Sequence, residues 1–334
     1  MQCTHPLLGI RDQKTGSFKI SGSYDERLKS NDPRYLYQPI PCGQCIACRL
    51  NKSREWATRM VLEAQNYSEN YLVTLTYDDD HVPITYYPAP ETGEAVPALT
   101  LQKKDVQDFM KRLRISSERK GRVECETTGI RFYAAGEYGD LKHRPHYHLC
   151  IFGLRLSDDL KNPSKTQTGF PQYESPFLES VWKFGRLRVS FFSFDTAAYV
   201  ARYVLKKRTG QDAEFYDAFN LQPEFSLMSR RPGLGRSYYD EHKESIYQFD
   251  RIPIPVSDGF KEVRPPSYYD RLFDVDDPDV MAATKVARIA SARRQNAFSA
   301  FCSDLPADER RELLDRTNKR KVSKLPRPID TANY

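Results

Sequence analysis

An α+β fold, with an antiparallel sheet flanked by helices, is what this sequence predicts, and three observations predict it. Between residues 51 and 210 the hydrophobic pattern runs strand–helix–strand–strand–helix–strand–helix. The two central strand patterns, 130–138 and 146–153, are joined by a hairpin connection at 141–145. A 334-residue chain that is 39% hydrophobic and 29% charged has enough apolar surface for one large domain or two ordinary ones. Around this domain (51–210) the sequence predicts a Cys-rich N-terminal element (1–50) and a partly helical, basic C-terminal accessory region (211–334).

The elements follow in order. Residues 1–50 are predicted turn-rich, because Pro33, Pro39, Pro41 and Gly43 break any regular period. A helix is predicted at 51–66, with Trp56, Met60 and Val61 inside and Lys52, Arg54 and Arg59 outside. Residues 71–77 alternate and are β-branched, as a strand requires; Asp78, Asp79 and Asp80 end it. A Pro-rich loop is expected at 83–97. Thr100 is then expected to cap a basic amphipathic helix to about 119, with Val106, Phe109, Met110 and Leu113 facing inward. After the central strands come a short helix (177–184) ending at Gly185 and a strand (186–192). Asp195 or Thr196 is expected to cap a helix whose core is 199–207. Beyond it the pattern loosens, with further helices predicted at 280–298 and 306–321.

A net charge of +6 favours an anionic partner without demanding one, and 21 Tyr and 18 Phe serve a base-stacking surface or a core equally well. No apolar run approaches the roughly 20 residues that span a bilayer, and the N-terminus lacks a signal-peptide layout, so a cytoplasmic protein without a membrane partner is expected. Neither a Walker A loop nor a dinucleotide fingerprint occurs, so helicase activity in this chain is not expected. The basic rows on the 100–119 and C-terminal helices read equally well or better as solvated faces.

The sharpest motif is Arg144-Pro145-His146-Tyr147-His148. Residues two apart on a strand share a face, so His146 and His148 project side by side, roughly 6.6 Å apart. With six histidines, chance supplies about 0.1 such pairs per chain. Glu137, at the end of the preceding hairpin strand, is the natural third ligand. A His-His-Glu set suits Mg²⁺ or Mn²⁺ at a phosphodiester, with Zn²⁺ as the alternative. His143 and Arg144 in the same loop, with Arg202, are candidate DNA contacts.

Tyr199 and Tyr203 stand four apart on a predicted helix, about 6 Å along its axis and on one face. That spacing alone is weak, since 21 tyrosines give about 1.3 such pairs by chance. The setting strengthens it: Lys206 and Lys207 follow within one turn. A phenol with pKa near about 10 needs a nearby cation to become a nucleophile at neutral pH.

Seven cysteines make a disulfide framework a poor reading. Cys42-x-x-Cys45-x-x-Cys48 has the spacing of a metal knuckle, with Cys3 as fourth ligand and His5 as its substitute. Structural Zn²⁺ is expected there, with an iron–sulfur cluster or free thiols as rivals. Cys125, Cys150 and Cys302 are expected to be isolated buried thiols.

Taken together, these residues resemble HUH endonucleases of the two-tyrosine type, and in particular the rolling-circle replication initiators of microviruses of the gokushovirus branch. The pieces are Pro41 through Arg49, Thr74-Leu75-Thr76-Tyr77, Gly136-Glu137-Tyr138-Gly139, Arg144 through His148, Tyr199 through Lys207, and Ser229-Arg230-Arg231-Pro232-Gly233. The resemblance implies nicking of single-stranded or nicked origin DNA through a 5′-phosphotyrosine at Tyr199 or Tyr203. It implies metal held by Glu137, His146 and His148, strand rejoining, and DNA contact near Tyr77. It further implies a host helicase and DNA polymerase as partners in an infected bacterial cytoplasm. Two other classes stay open: a zinc-stabilised origin-binding protein, and a hydrolase using water as nucleophile.

Overall fold

The computed structural model describes residues 2–24, 32–139, 142–166, 168–203, 207–208, 210–256 and 258–324. In chain order the N-terminal strands are β1 (Leu7–Asp12), β2 (Phe18–Ser23) and β3 (Tyr35–Ile40), followed by α1 (Ile46–Ala64). Then come β4 (Asn70–Thr76), β5 (Ile84–Pro88), β6 (Ala95–Leu99), α2 (Lys103–Arg119), β7 (Arg131–Tyr138) and β8 (Pro145–Phe152). The middle of the chain supplies β9 (Lys161–Lys165), β10 (Pro171–Glu174), α3 (Pro176–Trp182), β11 (Leu187–Phe191) and α4 (Phe194–Arg202). The remainder is α5 (Glu214–Ala218), β12 (Phe225–Met228), α6 (Arg236–Phe249), β13 (Ile252–Val256), β14 (Gly259–Val263), α7 (Ser267–Asp276), α8 (Pro278–Phe301) and α9 (Ala307–Ser323). The α+β class with an antiparallel sheet is as the sequence predicts. Among the described residues, no helix is long and apolar enough to cross a membrane.

Two compact units result. One joins the N-terminal segment through Lys52 to the C-terminal segment from Lys285; the other is Ser53–Thr284. The second holds a sheet that, among the described residues, has the order β12-β7-β8-β4-β11-β10-β9. Every pairing in it is antiparallel. Side chains alternate across it. One face, with Leu72, Tyr133, Cys150 and Phe152, packs with Met60 of α1, Val200 of α4, Tyr239 of α6 and Tyr269 of α7. The opposite face, with Val73, Leu75, Tyr147 and Leu149, packs on Val106, Phe109, Met110 and Leu113 of α2 and Trp182 of α3. The predicted inward row of α2 is therefore borne out.

Several local expectations are corrected. The turn-rich N-terminus forms a three-stranded sheet, order β2-β1-β3. Pro39 is tolerated because β3 is an edge strand there. The Pro-rich loop is largely the hairpin β5–β6, where both strands are edges and Pro88 and Pro97 fit. α1 starts at Ile46, five residues before its predicted start. Thr100 does not cap α2: Gln102 occupies that position, and Thr100 Oγ1 accepts from the Gln222 backbone N–H at 3.0 Å. Ser193, rather than Asp195 or Thr196, caps α4, in a reciprocal capping box with Thr196. α4 ends at Arg202, with Tyr203 as its C-cap, short of the predicted 207. The loosened region contains α6 and α7, whose buried residues are few and mostly Tyr, a weak periodic signal.

Candidate active site

The β7–β8 hairpin sets the site. Its register puts Glu137 directly across from His146, and Ala135 across from His148. On the other side of β8, Thr76 faces His146 and Thr74 faces His148. Glu137, His146 and His148 thus share one face and converge, their ligand atoms within 4.8 Å of one another. Their exposures are 1%, 4% and 0%, so water does little to separate their charges. His146 Nε2 lies 2.6 Å and His148 Nε2 3.2 Å from the same oxygen, Glu137 Oε1.

The donor chemistry fits a cation. His146 Nδ1 lies 3.1 Å from the Arg144 carbonyl, which can only accept, so Nδ1 is the donor. In a neutral imidazole, Nε2 then presents a lone pair to a carboxylate oxygen. That pair needs an extra proton or a metal ion between them. Thr74 Oγ1 holds His148 Nδ1 at 3.1 Å in the same outer position. Burial opposes ionisation of Glu137, but the adjacent imidazoles outweigh it and hold its carboxyl well below the usual range.

α4 carries the two phenols onto this centre. Tyr203 stacks on the His148 ring (4.7 Å between centroids, 2° between planes), and Tyr199 meets the same ring edge-on at 5.5 Å. The two phenol rings are 5.1 Å apart. Tyr199 and Tyr203 are 6% and 5% exposed. Burial, then the charge of Glu137, pushes the Tyr203 hydroxyl well above its ordinary value, and that hydroxyl hydrogen-bonds to Glu137 and Tyr199. The Arg202 guanidinium lies 5.9 Å from the Tyr199 ring centroid. Lys207 is exposed; Lys206 lies outside the described residues.

The other expected contacts divide. Arg144 is partly exposed; it binds Asp79 at 2.7 Å and the Tyr77 carbonyl at 2.8 Å, fastening the hairpin to the end of β4. His143 is exposed, with a left-handed φ of 48°. Tyr77 is not brought to the site. It is 4% exposed on the opposite side of the sheet, bonded to Asp105 at 2.6 Å and Tyr147 at 2.9 Å, so its ring has no face to offer DNA. Thr74 was not singled out by sequence reasoning; its signal was its place two residues before Thr76, on the His-facing side of β4.

In the other unit, the thiols of Cys3, Cys42, Cys45 and Cys48 lie within 4.8 Å of one another. Cys3 Sγ is 3.6 Å from Cys42 Sγ and 3.7 Å from Cys45 Sγ, so no disulfide joins them. Burial opposes a thiolate at Cys45, yet hydrogen bonds from Thr4 and Cys48 bring it down to about 5. The quartet could hold a tetrahedral ion. His5 is outside it, bonded to Thr4 Oγ1 at 3.0 Å. Of the remaining thiols, Cys150 is buried as expected, but Cys125 is partly exposed and Cys302 exposed.

Comparison with known proteins agrees with this geometry. The family model for replication-associated proteins of the ORF2 type matches residues 70–208, which contain the Glu-His-His group and both tyrosines. The replication-associated protein ORF2 of Spiroplasma virus 4 is 33% identical, over 99% of each chain. The replication-associated protein VP4 of Bdellovibrio phage phiMH2K is 30% identical over 76% of this chain and 72% of that one. The replication-associated protein ORF4 of Chlamydia phage 1 is 30% identical over 70% of this chain and 53% of its own length. No solved structure matches the chain. With a relative aligned from end to end, the chain belongs to the family of phage replication-associated proteins of the ORF2 type.

Proposed function

We propose that this protein starts rolling-circle replication by nicking single-stranded origin DNA with a tyrosine. The observation that carries the reading is the convergence of two phenols on a buried Glu-His-His group, with Tyr203 stacked on His148. Glu137, His146 and His148 would hold Mg²⁺ or Mn²⁺, and such an ion polarises a phosphate and offsets charge building on its oxygens. Tyr199 or Tyr203 then attacks phosphorus through its phenolic oxygen. The bond to the 3′ oxygen breaks, that oxygen leaves with a proton as a free 3′-OH, and the 5′-phosphate stays on the tyrosine. Attack by a 3′-OH on this ester reverses the step and rejoins strands, with no ATP needed. Two phenols on one ring allow one to hold a strand end while the other cuts.

His143, Arg144 and Arg202 are assigned to the DNA backbone, and Lys207 or Lys206 to the phosphate charge during attack. The 3′-OH suits a DNA polymerase, and strand separation calls for a helicase from the host, whose cytoplasm would be the site of the work. Zn²⁺ is assigned to the cysteine quartet with a structural role.

The test is incubation with labelled single-stranded origin DNA and Mn²⁺, followed by a denaturing gel. DNA migrating with the protein, and lost only in Tyr199→Phe/Tyr203→Phe, is the expected outcome. Metal-dependent cleavage without linked protein would transfer the role to water. Binding without cleavage would leave an origin-binding protein.

A further inference from the structure

A cavity of about 470 Å³ opens within the same unit, at the end of β7. One wall is Tyr138 and Gly139, the two residues after Glu137, together with His143. Gly139 lies so close to the site that a Cβ there would stand 3.5 Å from the His146 ring. The facing wall comes from the β5–β6 hairpin and the segment around α5. Tyr87 and Phe219 meet edge-on at 4.8 Å, and Phe215 is 4.8 Å from Phe219. The Arg208 guanidinium lies over Phe215, 3.6 Å from its centroid.

These rings do not close into a core. Tyr87, Tyr138, Phe215 and Phe219 all stay partly exposed around open space, and Arg208 and His143 are exposed at its edge. The walls are nevertheless fixed. The Tyr138 hydroxyl donates to the Gln222 carbonyl at 2.7 Å, and Asn220 Nδ2 donates to Thr85 Oγ1 at 2.8 Å. The Tyr216 hydroxyl donates to Glu224 while accepting from the Arg208 backbone N–H. Glu224, the acidic group on the lining, is thereby engaged. What remains is a set of planar apolar faces, a guanidinium plane and an imidazole, which is the chemistry that grips a base and its phosphate.

We propose that this cavity receives one unstacked nucleobase of a single strand whose backbone runs on to Glu137, His146 and His148. The inference rests on the nuclease reading and extends it. A paired base is stacked on both sides and cannot enter without leaving its duplex, so the cavity selects single strands and fixes which phosphate reaches the centre.

The probe is a random-sequence single strand carrying thiothymidine or thioguanosine, irradiated with the full-length natural chain and mapped by mass spectrometry. Crosslinks on peptides bearing Tyr87, Phe215 or Phe219 are expected; crosslinks confined to other surfaces overturn the proposal. In parallel, Phe215→Leu keeps apolar bulk but loses the ring. With an unchanged melting temperature, it should bind the single strand about tenfold more weakly by fluorescence anisotropy, with duplex binding unaltered. Equal weakening for duplex, or none for single strand, overturns it. Cleavage by the natural chain is scored separately. Cleavage without crosslinks in the cavity overturns the base site and leaves the nuclease reading standing, whereas crosslinks there without cleavage do the reverse.

Discussion

Thr74 has no part in the chemistry, yet its hydroxyl is 3.1 Å from His148 Nδ1 and fixes which nitrogen faces Glu137. Outer partners of this kind commonly change metal affinity by about 10- to 100-fold. Thr74→Val, similar in shape but without the hydrogen bond, should weaken Mn²⁺ binding by at least about tenfold in calorimetry, with little change in melting temperature. The same value for both proteins would remove Thr74 from the site. For the phenols, each single Phe variant should retain a covalent adduct and the double variant should lose it, scored on a denaturing gel. A Tyr199→Phe protein that already forms none would assign the first attack to that residue. The ligands were legible in the sequence because a strand's period of two makes His-x-His speak for itself. Tyr77 was not, since alternation places it on the far face and its neighbour Thr76 on the near one.

Among the elements, α4 illustrates how position is set by a helix start. The Ser193–Thr196 capping box fixes the first turn, and Tyr199 lies one turn further on. Ser193→Ala should destabilise the fold by about 1 kcal/mol, read from urea unfolding. No measurable change would mean that packing alone holds this helix. A second anchor is the buried pair Glu63–Arg131, 3.0 Å apart, with Glu63 also accepting from the Gly235 N–H at 2.7 Å and Arg131 donating to the Pro232 carbonyl at 2.5 Å. It locks the 229–235 segment, one of the sequence motifs, onto α1 and β7. Glu63→Ala strands a buried guanidinium and a backbone donor, so a loss of about 3–5 kcal/mol is expected in urea unfolding. A loss below about 1 kcal/mol would count against this role. The motif Ser229–Gly233 was visible in the sequence, but its partners are about a hundred residues or more away and no periodicity reports them. Strands and amphipathic helices with dense apolar faces were legible. The β5–β6 hairpin and α6 were hidden by proline and by tyrosine-rich, polar composition.

For the whole molecule, the two units have different sources of stability. Ser53–Thr284 has cores on both faces of a wide sheet, whereas β2 of the other unit is exposed along its whole length. A small unit with little core gains from a bound ion. Purified protein should carry one Zn²⁺ per chain, and chelation should speed proteolysis within 2–24, 32–52 and 285–324 while the sheet unit resists. Metal-free protein with unaltered proteolysis would leave the quartet as plain thiols. The hairpin register has a kinetic corollary. Glu137 is nine residues from His146 and eleven from His148, while Tyr203 is another fifty-five along the chain. Contacts of such low order form on the scale of hairpin closure, roughly microseconds, and need no distant segment to arrive first. The ion's ligands are therefore a local and early product of folding, and the nucleophiles a late one. Damage to the packing of α4 would leave a protein that still captures its cation but has nothing to attack with.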